Sequence, residues 1–257
     1  MTTKVAINIP DCHIPWHSKS GWEILMSIGG DLQVSVGVDE VNIMGDFADF
    51  YWCSLHPRLP EGMSVSETLK DEIYQVIKKL EEIREKFPDA VINFIEGNHE
   101  YRLMRWLTKK APELFDIFTL PELLQFKRLG IKYHPFGKNQ LVSCLGTNYM
   151  LRHQPWNQGK HCAAGSAAAK YTSLGFGHTH RLQSYSSKDA LGREVSCYSM
   201  GWLGDRDAPV FSYMDHDNWV QGFQVVTSIN KKEWFVETVR IKNNKAVYNN
   251  TIYESDL

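Results

Sequence analysis

Three short apolar segments, each followed at once by polar side chains, constrain the fold of this chain more than any other feature. They are residues 4–10, 41–45 and 90–96, and each is short enough to be a buried strand. Helical patterns lie between them. Residues 22–30 predict a helix closed by two glycines, and 66–87 predict an amphipathic helix that stops before Pro88. This alternation predicts an α/β sheet with parallel strands in the first hundred residues.

The rest of the chain changes from mixed to mainly β. Residues 101–130 have a mostly helical pattern, and 159–172, rich in small residues, predict another helix. Strand patterns cover 131–136, 139–146 and 148–153, and most of the chain from 173 onward. Because no internal repeat or linker interrupts the pattern, we predict a single domain over residues 1–257 with a β-rich second half.

Charge and cysteine content exclude several classes of protein. The net charge is −2 and the pI about 6.6, which disfavours a broad basic face for nucleic acid. The five cysteines form no CxxC pair, which argues against a disulfide framework and a zinc ribbon. No signal peptide or membrane-spanning segment is predicted. We therefore expect a reduced, soluble protein of the cytoplasm with no membrane partner.

Candidate metal ligands cluster where the predicted strands end. The motifs are "DCH" (11–13), "GDFAD" (45–49), "GNHE" (97–100), "LRH" (151–153) and "GHTH" (177–180). Ligands bind outside the carboxyl ends of strands in open α/β sheets. Seven side chains offer oxygen or nitrogen: Asp11, His13, Asp46, Asn98, His153, His178 and His180. Donors without thiolate suit Mn, Fe, Zn or Ni, and seven are enough for two ions about 3.5–4 Å apart with one bridging carboxylate.

The five motifs, in this order over residues 11–180, resemble those of the calcineurin-like metallophosphoesterases. Each motif alone is weak, but the ordered set covers about two thirds of the chain. The resemblance implies a four-layer sandwich in which two mixed β-sheets are flanked by helices. The short strings "DxHIP" and "NWVQGFQVV" are similar to a phage-encoded branch of the family, which would place the protein in the cytoplasm of a host.

The resemblance also implies a role for each motif residue. Asp11, His13 and His180 would hold a first metal ion; Asn98, His153 and His178 would hold a second; Asp46 would bridge them. Manganese is the first expectation, with Fe, Zn or Ni as alternatives. The ions would share a hydroxide that attacks phosphorus, while His99 assists the leaving oxygen and Asp49 orients His99.

One departure from the family pattern bears on the substrate. In the phosphoprotein phosphatases an arginine directly follows GDxxD and grips the phosphate, whereas Phe50 stands here. We therefore predict hydrolysis of phosphodiesters, in single-stranded DNA, RNA or a nucleotide. The alternatives are a phosphomonoesterase and a metal-binding scaffold without catalysis. A scaffold has no need of both His99 and Asp49, so their presence favours an enzyme.

For several aromatic and charged residues the sequence allows either a functional or a structural role. Trp16, Trp52 and Trp156 each follow a motif residue by three positions, and either stack on a flat substrate group or pack in the core. Arg102, in "GNHEYR", either grips a phosphate or has a structural role. Residues 200–209 have the composition of a loop that could cover the cleft.

Overall fold

The computed structural model describes residues 2–54, 69–211 and 218–257. The strands are β1 (Thr3–Ile9), β2 (Glu40–Ile43), β3 (Val91–Ile95), β4 (Ile131–His134), β5 (Val142–Ser143), β6 (Met150–Arg152), β7 (Leu174–Phe176), β8 (Leu182–Lys188), β9 (Glu194–Met200), β10 (Gly222–Ile229), β11 (Glu233–Arg240), β12 (Lys245–Tyr248) and β13 (Thr251–Glu254). The α-helices are α1 (Lys19–Ser35), α2 (Leu69–Lys86), α3 (Glu100–Lys110), α4 (Leu120–Leu123), α5 (Phe126–Leu129) and α6 (Cys162–Lys170). Within these described ranges, no helix combines the length and apolar character that a membrane span requires.

The larger sheet has six strands in the order β11-β10-β1-β2-β3-β4. Strands β1 to β4 pair in parallel, as predicted from the first half of the sequence. Strand β10 pairs antiparallel with β1 and with β11, so the sheet is mixed. The parallel arrangement brings the carboxyl ends of β1, β2 and β3 to the same edge, which is where the first three motifs begin.

A row of buried amides determines how these strands are aligned. Asn8, Asn42 and Asn93 occupy matching positions on β1, β2 and β3. The Asn93 side-chain amide donates to the Asn42 side chain over 2.8 Å, and that of Asn42 donates to Asn8 over 2.9 Å. A shift of one residue would turn these amides to the other face and break both bonds. The row therefore stabilises the register that aligns the three motif loops.

The second sheet has five strands in the order β5-β6-β7-β9-β8, with β6 and β7 parallel. The two sheets pack against each other through one apolar cluster. In it, Ala6 of β1 and Met44, which directly follows β2, pack with Leu151 of β6 and Met200 of β9. This contact brings the ends of β6 and β7, and the histidines that follow them, to the loops after β1, β2 and β3. Strands β12 and β13 follow β11 in the chain and form a separate antiparallel hairpin.

The structure differs from the sequence prediction at the glycines of α1. The prediction that Gly29 and Gly30 close this helix is wrong, because α1 continues to Ser35. A Cβ atom on Gly29 would lie 2.6 Å from Cζ of Phe87. Glycine therefore allows α1 to approach its neighbours closely, which outweighs its low helix propensity.

Other boundaries also differ. Of the strand predicted over 139–146 only β5 forms, and Leu145 has φ 53°, which ends the extended conformation. Strand β13 is paired with β12 but had no clear sequence pattern of its own. Helix α2 ends one residue before the predicted end, and residues 66–68 of the prediction lie outside the described residues.

Candidate metal centre

Five loops bring the candidate ligands together. Asp11 and His13 follow β1, Asp46 and Asp49 follow β2, Asn98 and His99 follow β3, His153 follows β6, and His178 and His180 follow β7. The first two loops are joined by a hydrogen bond of 2.8 Å from the His13 N–H to the Asp46 carbonyl. Four of the site residues have a left-handed backbone: His13, Asp46, His178 and His180. Such conformations cost free energy and cluster at functional sites.

The first group of donor atoms belongs to Asp11, His13, Asp46 and His180, which all lie within 4.8 Å of one another. The Nε2 atoms of His13 and His180 are 3.1 Å apart, and His180 Nε2 lies 3.5 Å from Asp11 Oδ1. Two ligands of one ion, each about 2.1 Å from it, lie about 3.0–3.4 Å apart. These separations therefore fit donors that share a metal ion.

The second group consists of Asp46, His153 and His178, with donor atoms within the same 4.8 Å limit. His153 Nε2 lies 3.3 Å from Asp46 Oδ1 and 2.9 Å from the side-chain oxygen of Asn98. Asn98 therefore joins this group through its amide oxygen. Asp46 belongs to both groups. Its carboxylate therefore lies between them, in a position from which it could bind two ions.

Hydrogen bonds at the far side of two rings leave Nε2 available. His13 Nδ1 lies 2.9 Å from Asp49 Oδ2, and His153 Nδ1 lies 2.9 Å from the Met44 carbonyl. Each oxygen accepts a hydrogen bond from the N–H at Nδ1 and so selects the neutral tautomer with a free Nε2 lone pair. Metal-binding histidines are commonly oriented in this way. The motif residue Asp49 thus contacts His13, a contact that the sequence did not reveal.

The ionisation of most site residues suits cation binding, and His153 is the exception. Burial disfavours its charged ring, but Asp46 outweighs burial and raises the pKa of His153 to about 9, so an ion bound there would have to displace a proton. Burial lowers the pKa of His178 to about 4 and that of His180 to about 3, so both rings are neutral at pH 7. Burial opposes ionisation of Asp46, but His153 and His99 outweigh it and hold the pKa of this carboxyl well below its usual range. Neutral imidazoles and an ionised carboxylate are the forms that bind metals.

Two buried atoms without a hydrogen-bond partner in the described part of the chain are relevant to metal binding at this site. Asp11 Oδ2 and His180 Nδ1 have no hydrogen-bond partner among the described residues, although the other oxygen of Asp11 accepts the His178 N–H over 2.8 Å. An unpaired buried carboxylate oxygen is costly unless a cation compensates it. Donor types, spacing and this oxygen together fit a divalent metal, and these buried Asp and His groups could hold one.

An aromatic wall lines one side of the centre. Trp202 stacks on the His180 ring, with centroids 4.9 Å apart and planes at 13°, and Trp219 meets the same ring edge-on at 4.4 Å. Trp202 is buried, and the Leu203 N–H donates to the Asp11 carbonyl over 3.0 Å. Residues 201–204 of the loop-like segment 200–209 are therefore a packed support of the ligands rather than a loop lying over the cleft.

The tryptophans singled out by spacing take different positions. Trp16 packs against the cluster that contains Trp202. The guanidinium carbon of Arg152 lies over the Trp156 ring, 5.5 Å from the ring centroid, and Trp156 packs with the cluster around α6. Trp52 is half-buried in a short 3₁₀ turn. Trp202 itself carried no spacing signal, because only the tertiary fold brings it to His180.

Glu100 is a supporting residue that the sequence analysis did not identify. Its buried carboxylate accepts backbone N–H groups of Asp46, Phe47, Ala48 and Gly97 over 2.7–2.9 Å. A Cβ atom on Gly97 would lie 2.3 Å from the Asp46 side chain, so glycine is needed where the two loops meet. Glu100 thereby ties the loop that carries Asp46 to the loop that carries Asn98.

Glu100→Gln is expected to lower the free energy of unfolding of the metal-free protein by about 2–4 kcal/mol, since its NH₂ group would face backbone N–H donors that now bond to oxygen. Burial raises the pKa of Glu100 to about 7, so wild-type stability falls as the pH rises towards 7, and the comparison at pH 8, where the carboxylate is ionised, gives the smallest expected difference. Urea denaturation measures the change. The exposed Glu113 provides the control, as Glu113→Gln should change stability by less than about 0.5 kcal/mol. Equal stability of the two variants would contradict this role for Glu100.

His99 lies beside the Asp46 carboxylate and belongs to neither of these two groups, although its donor atom lies within 4.8 Å of those of His13 and Asp49 in a third group that could hold an ion. Its Nδ1 lies 3.1 Å from both the carbonyl and the carboxylate of Asp49, and its Nε2 lies 3.8 Å from Asp46 Oδ2. Burial disfavours the charged ring, but Asp46 and Asp49 outweigh burial and raise the pKa of His99. The two carboxylates thus favour a protonated imidazole, whereas Arg102, whose Nη2 lies 2.9 Å from His99 Nε2, opposes it.

Comparison with known proteins adds no assignment: no model of a protein family and no curated protein matches the chain. The structure brings together all nine residues that the motifs singled out. It leaves three other described histidines, His17, His134 and His161, out of the centre. His134 contacts Asn93, and His161 is exposed before α6.

Proposed function

We propose that this protein is a dinuclear metal-dependent phosphodiesterase of the calcineurin-like metallophosphoesterase type. The observation that carries the proposal is the position of Asp46, which belongs to two groups of metal-binding side chains while His99 stands beside it. The two mixed sheets in contact, with helices in the same chain, are compatible with the sandwich that this family would have. The proposal covers both the fold type and the activity.

The ligands would divide between the two ions as the two groups suggest. Asp11, His13 and His180 would bind one ion, Asn98, His153 and His178 the other, and Asp46 both. Two divalent ions in these positions would lower the pKa of a bound water and act as Lewis acids on the phosphoryl oxygens. Manganese is the proposed metal, with Fe, Zn or Ni as alternatives for the same oxygen and nitrogen donors.

His99 would give a proton to the oxygen that leaves phosphorus. Asp49 holds Nδ1, so Nε2 is the ring atom that can reach the leaving oxygen. When the P–O bond breaks, the proton moves from Nε2 to that oxygen and the ring becomes neutral. Asp49 would orient the ring and favour its charged form before the step.

We propose a phosphodiester in nucleic acid or a nucleotide as the substrate. Phe50, after GDxxD, is fully buried in the core, so this position offers no cation for a phosphomonoester dianion. Half-buried Trp16, Tyr51 and Trp219 pack with the aromatic cluster next to His180, and rings at such a place can contact a base.

Hydrolysis of bis-p-nitrophenyl phosphate by the metal-loaded protein tests the proposal. We expect turnover after addition of Mn, Fe, Zn or Ni, loss of turnover on chelation, and slower hydrolysis of p-nitrophenyl phosphate. The absence of hydrolysis with all four metals would contradict an enzymatic function and favour a metal-binding scaffold. Faster hydrolysis of the monoester would instead indicate a phosphomonoesterase. Single-stranded DNA, RNA and cyclic nucleotides then distinguish the substrates.

A further inference from the structure

The loop that carries Asp46 and Asp49 supplies acidic groups to the centre and no cation. Phe50 has φ 48°, its side chain is buried in the main core, and its N–H donates to the Glu72 carboxylate. Asp11, Asp46 and Asp49 are all buried. A phosphoryl group entering this region therefore meets several carboxylates and needs a cationic partner besides any metal ions.

Arg102 is the cation that contacts this region. It lies on α3, one turn after His99, and donates through Nη1 to Asp49 Oδ1 and to the Asp49 carbonyl, each over 3.1 Å. Among the described residues, Arg102 is the only lysine or arginine with an ion pair to an aspartate of the centre. Its side chain remains 25% exposed. The guanidinium is thus held by the centre and still open to the cleft.

The second contact of Arg102 is with the ring atom of His99 that would reach the leaving oxygen. Nη2 lies 2.9 Å from His99 Nε2 and donates to this nitrogen in its unprotonated form. His99 can therefore carry at Nε2 the proton that it gives to the leaving oxygen only after this contact is broken and the ring has taken up a proton from solvent. A leaving oxygen that reaches Nε2 must take the place of this Nη2 contact. The displaced N–H needs a new acceptor nearby, and an oxygen of the same phosphoryl group suits it, because guanidinium binds phosphate with two parallel N–H donors.

We propose that Arg102 binds the phosphoryl group of the substrate, exchanging its contact with His99 Nε2 for a phosphoryl oxygen while Asp49 continues to hold Nη1. This inference rests on the proposed function, since it assumes that a phosphoester enters the metal centre. It makes Arg102 a substrate-binding residue contributed by α3. It also accounts for a buried Asp49 that contacts His13, His99 and Arg102 together.

Calorimetric binding of inorganic phosphate to the manganese-loaded protein tests the inference without relying on turnover. Arg102→Ala should raise the dissociation constant of phosphate at least about tenfold, the loss expected for one charge-assisted hydrogen bond. Arg102→Lys should recover part of the affinity, because lysine restores the positive charge but not the pair of parallel N–H donors of the guanidinium. The matched control is Arg105→Ala, one turn further along α3 and exposed, which should change the constant by less than about twofold.

Metal content and kinetics separate binding from structural support. We expect Arg102→Ala to keep the manganese content of the wild type and to raise KM for bis-p-nitrophenyl phosphate more than it lowers kcat. Unchanged phosphate affinity, or loss of manganese, would overturn the inference and make Arg102 a support of Asp49. If Arg102→Ala does not fold, Arg102→Gln carries the same test, because its amide can still donate to the Asp49 carbonyl. If the wild type binds phosphate through Arg102 but hydrolyses no ester, the proposed function fails while the inference stands.

Discussion

Asp46→Asn is expected to remove both metal ions from the protein and to abolish hydrolysis. The Asp46 carboxylate belongs to both groups of ligands, and a neutral amide would weaken the attraction for two cations at once. Replacing an outer-shell partner of a metal ligand typically costs about 10–100-fold in affinity, so loss of a shared ligand should cost more than about 100-fold. Metal content after dialysis, measured by elemental analysis, reports the change directly.

A surface variant is the control for Asp46→Asn. Asp116 is exposed, and Asp116→Asn should keep the metal content and the turnover of the wild type. The backbone of the Asp46 loop is held by Glu100, so the variant should fold and its effect should be on metal. Loss of one ion with full retention of the other would contradict the bridging role.

His99→Ala is expected to lower kcat by about 10²–10⁴-fold, the usual contribution of a positioned general acid, for a dinucleotide whose leaving oxygen is an alkoxide. The loss should be smaller for bis-p-nitrophenyl phosphate, because p-nitrophenolate is a weakly basic leaving group that needs less help from a proton donor. His99 belongs to neither of the two groups that share Asp46, so under the proposed assignment the metal content should stay at the wild-type value. The third group, His13, Asp49 and His99, is what this measurement tests. Steady-state assays at saturating substrate and manganese measure kcat, and elemental analysis measures the manganese content per chain.

His161→Ala is the matched control, since His161 is exposed and lies outside the centre. It should leave kcat unchanged. A fall in metal content with His99→Ala would show that His99 is a ligand, which would contradict its role as a proton donor. An unchanged kcat would remove His99 from the reaction altogether.

The residues of the candidate centre could be found from the sequence because they stand at strand ends. Hydrophobic segments predicted β1, β2 and β3, and parallel strands bring their carboxyl ends to one edge of a sheet. Asp11, Asp46 and Asn98 could therefore be assigned to one site before any contact was known. His153 and His178 follow strands of the second sheet, and for them only the order of the motifs indicated a common site.

The supporting contacts could not be found in the same way. Glu100 looks like an ordinary acidic residue at the start of a helix, yet its carboxylate accepts four backbone N–H groups. Trp202 lies 22 positions after His180 in the chain but stacks on its ring. Arg102 was open to two roles until its contacts with Asp49 and His99 were known. Each contact depends on where loops distant in sequence meet.

The sequence by itself determined the α/β pattern, the parallel strands β1, β2 and β3 of the first sheet, and the types of candidate ligand atom. These follow from local hydrophobic periodicity and from the side chains at strand ends, which a linear chain records directly. Only the tertiary structure decided that Asp46 belongs to two groups of ligands, that Asp49 holds His13 as well as His99, and that Arg102 covers His99 Nε2. Those features depend on distances of about 3 Å between side chains. Asp46 meets His153 and His178 because the two sheets pack together, whereas the contacts of Asp49 and Arg102 form among the segments that follow β1, β2 and β3 of the first sheet.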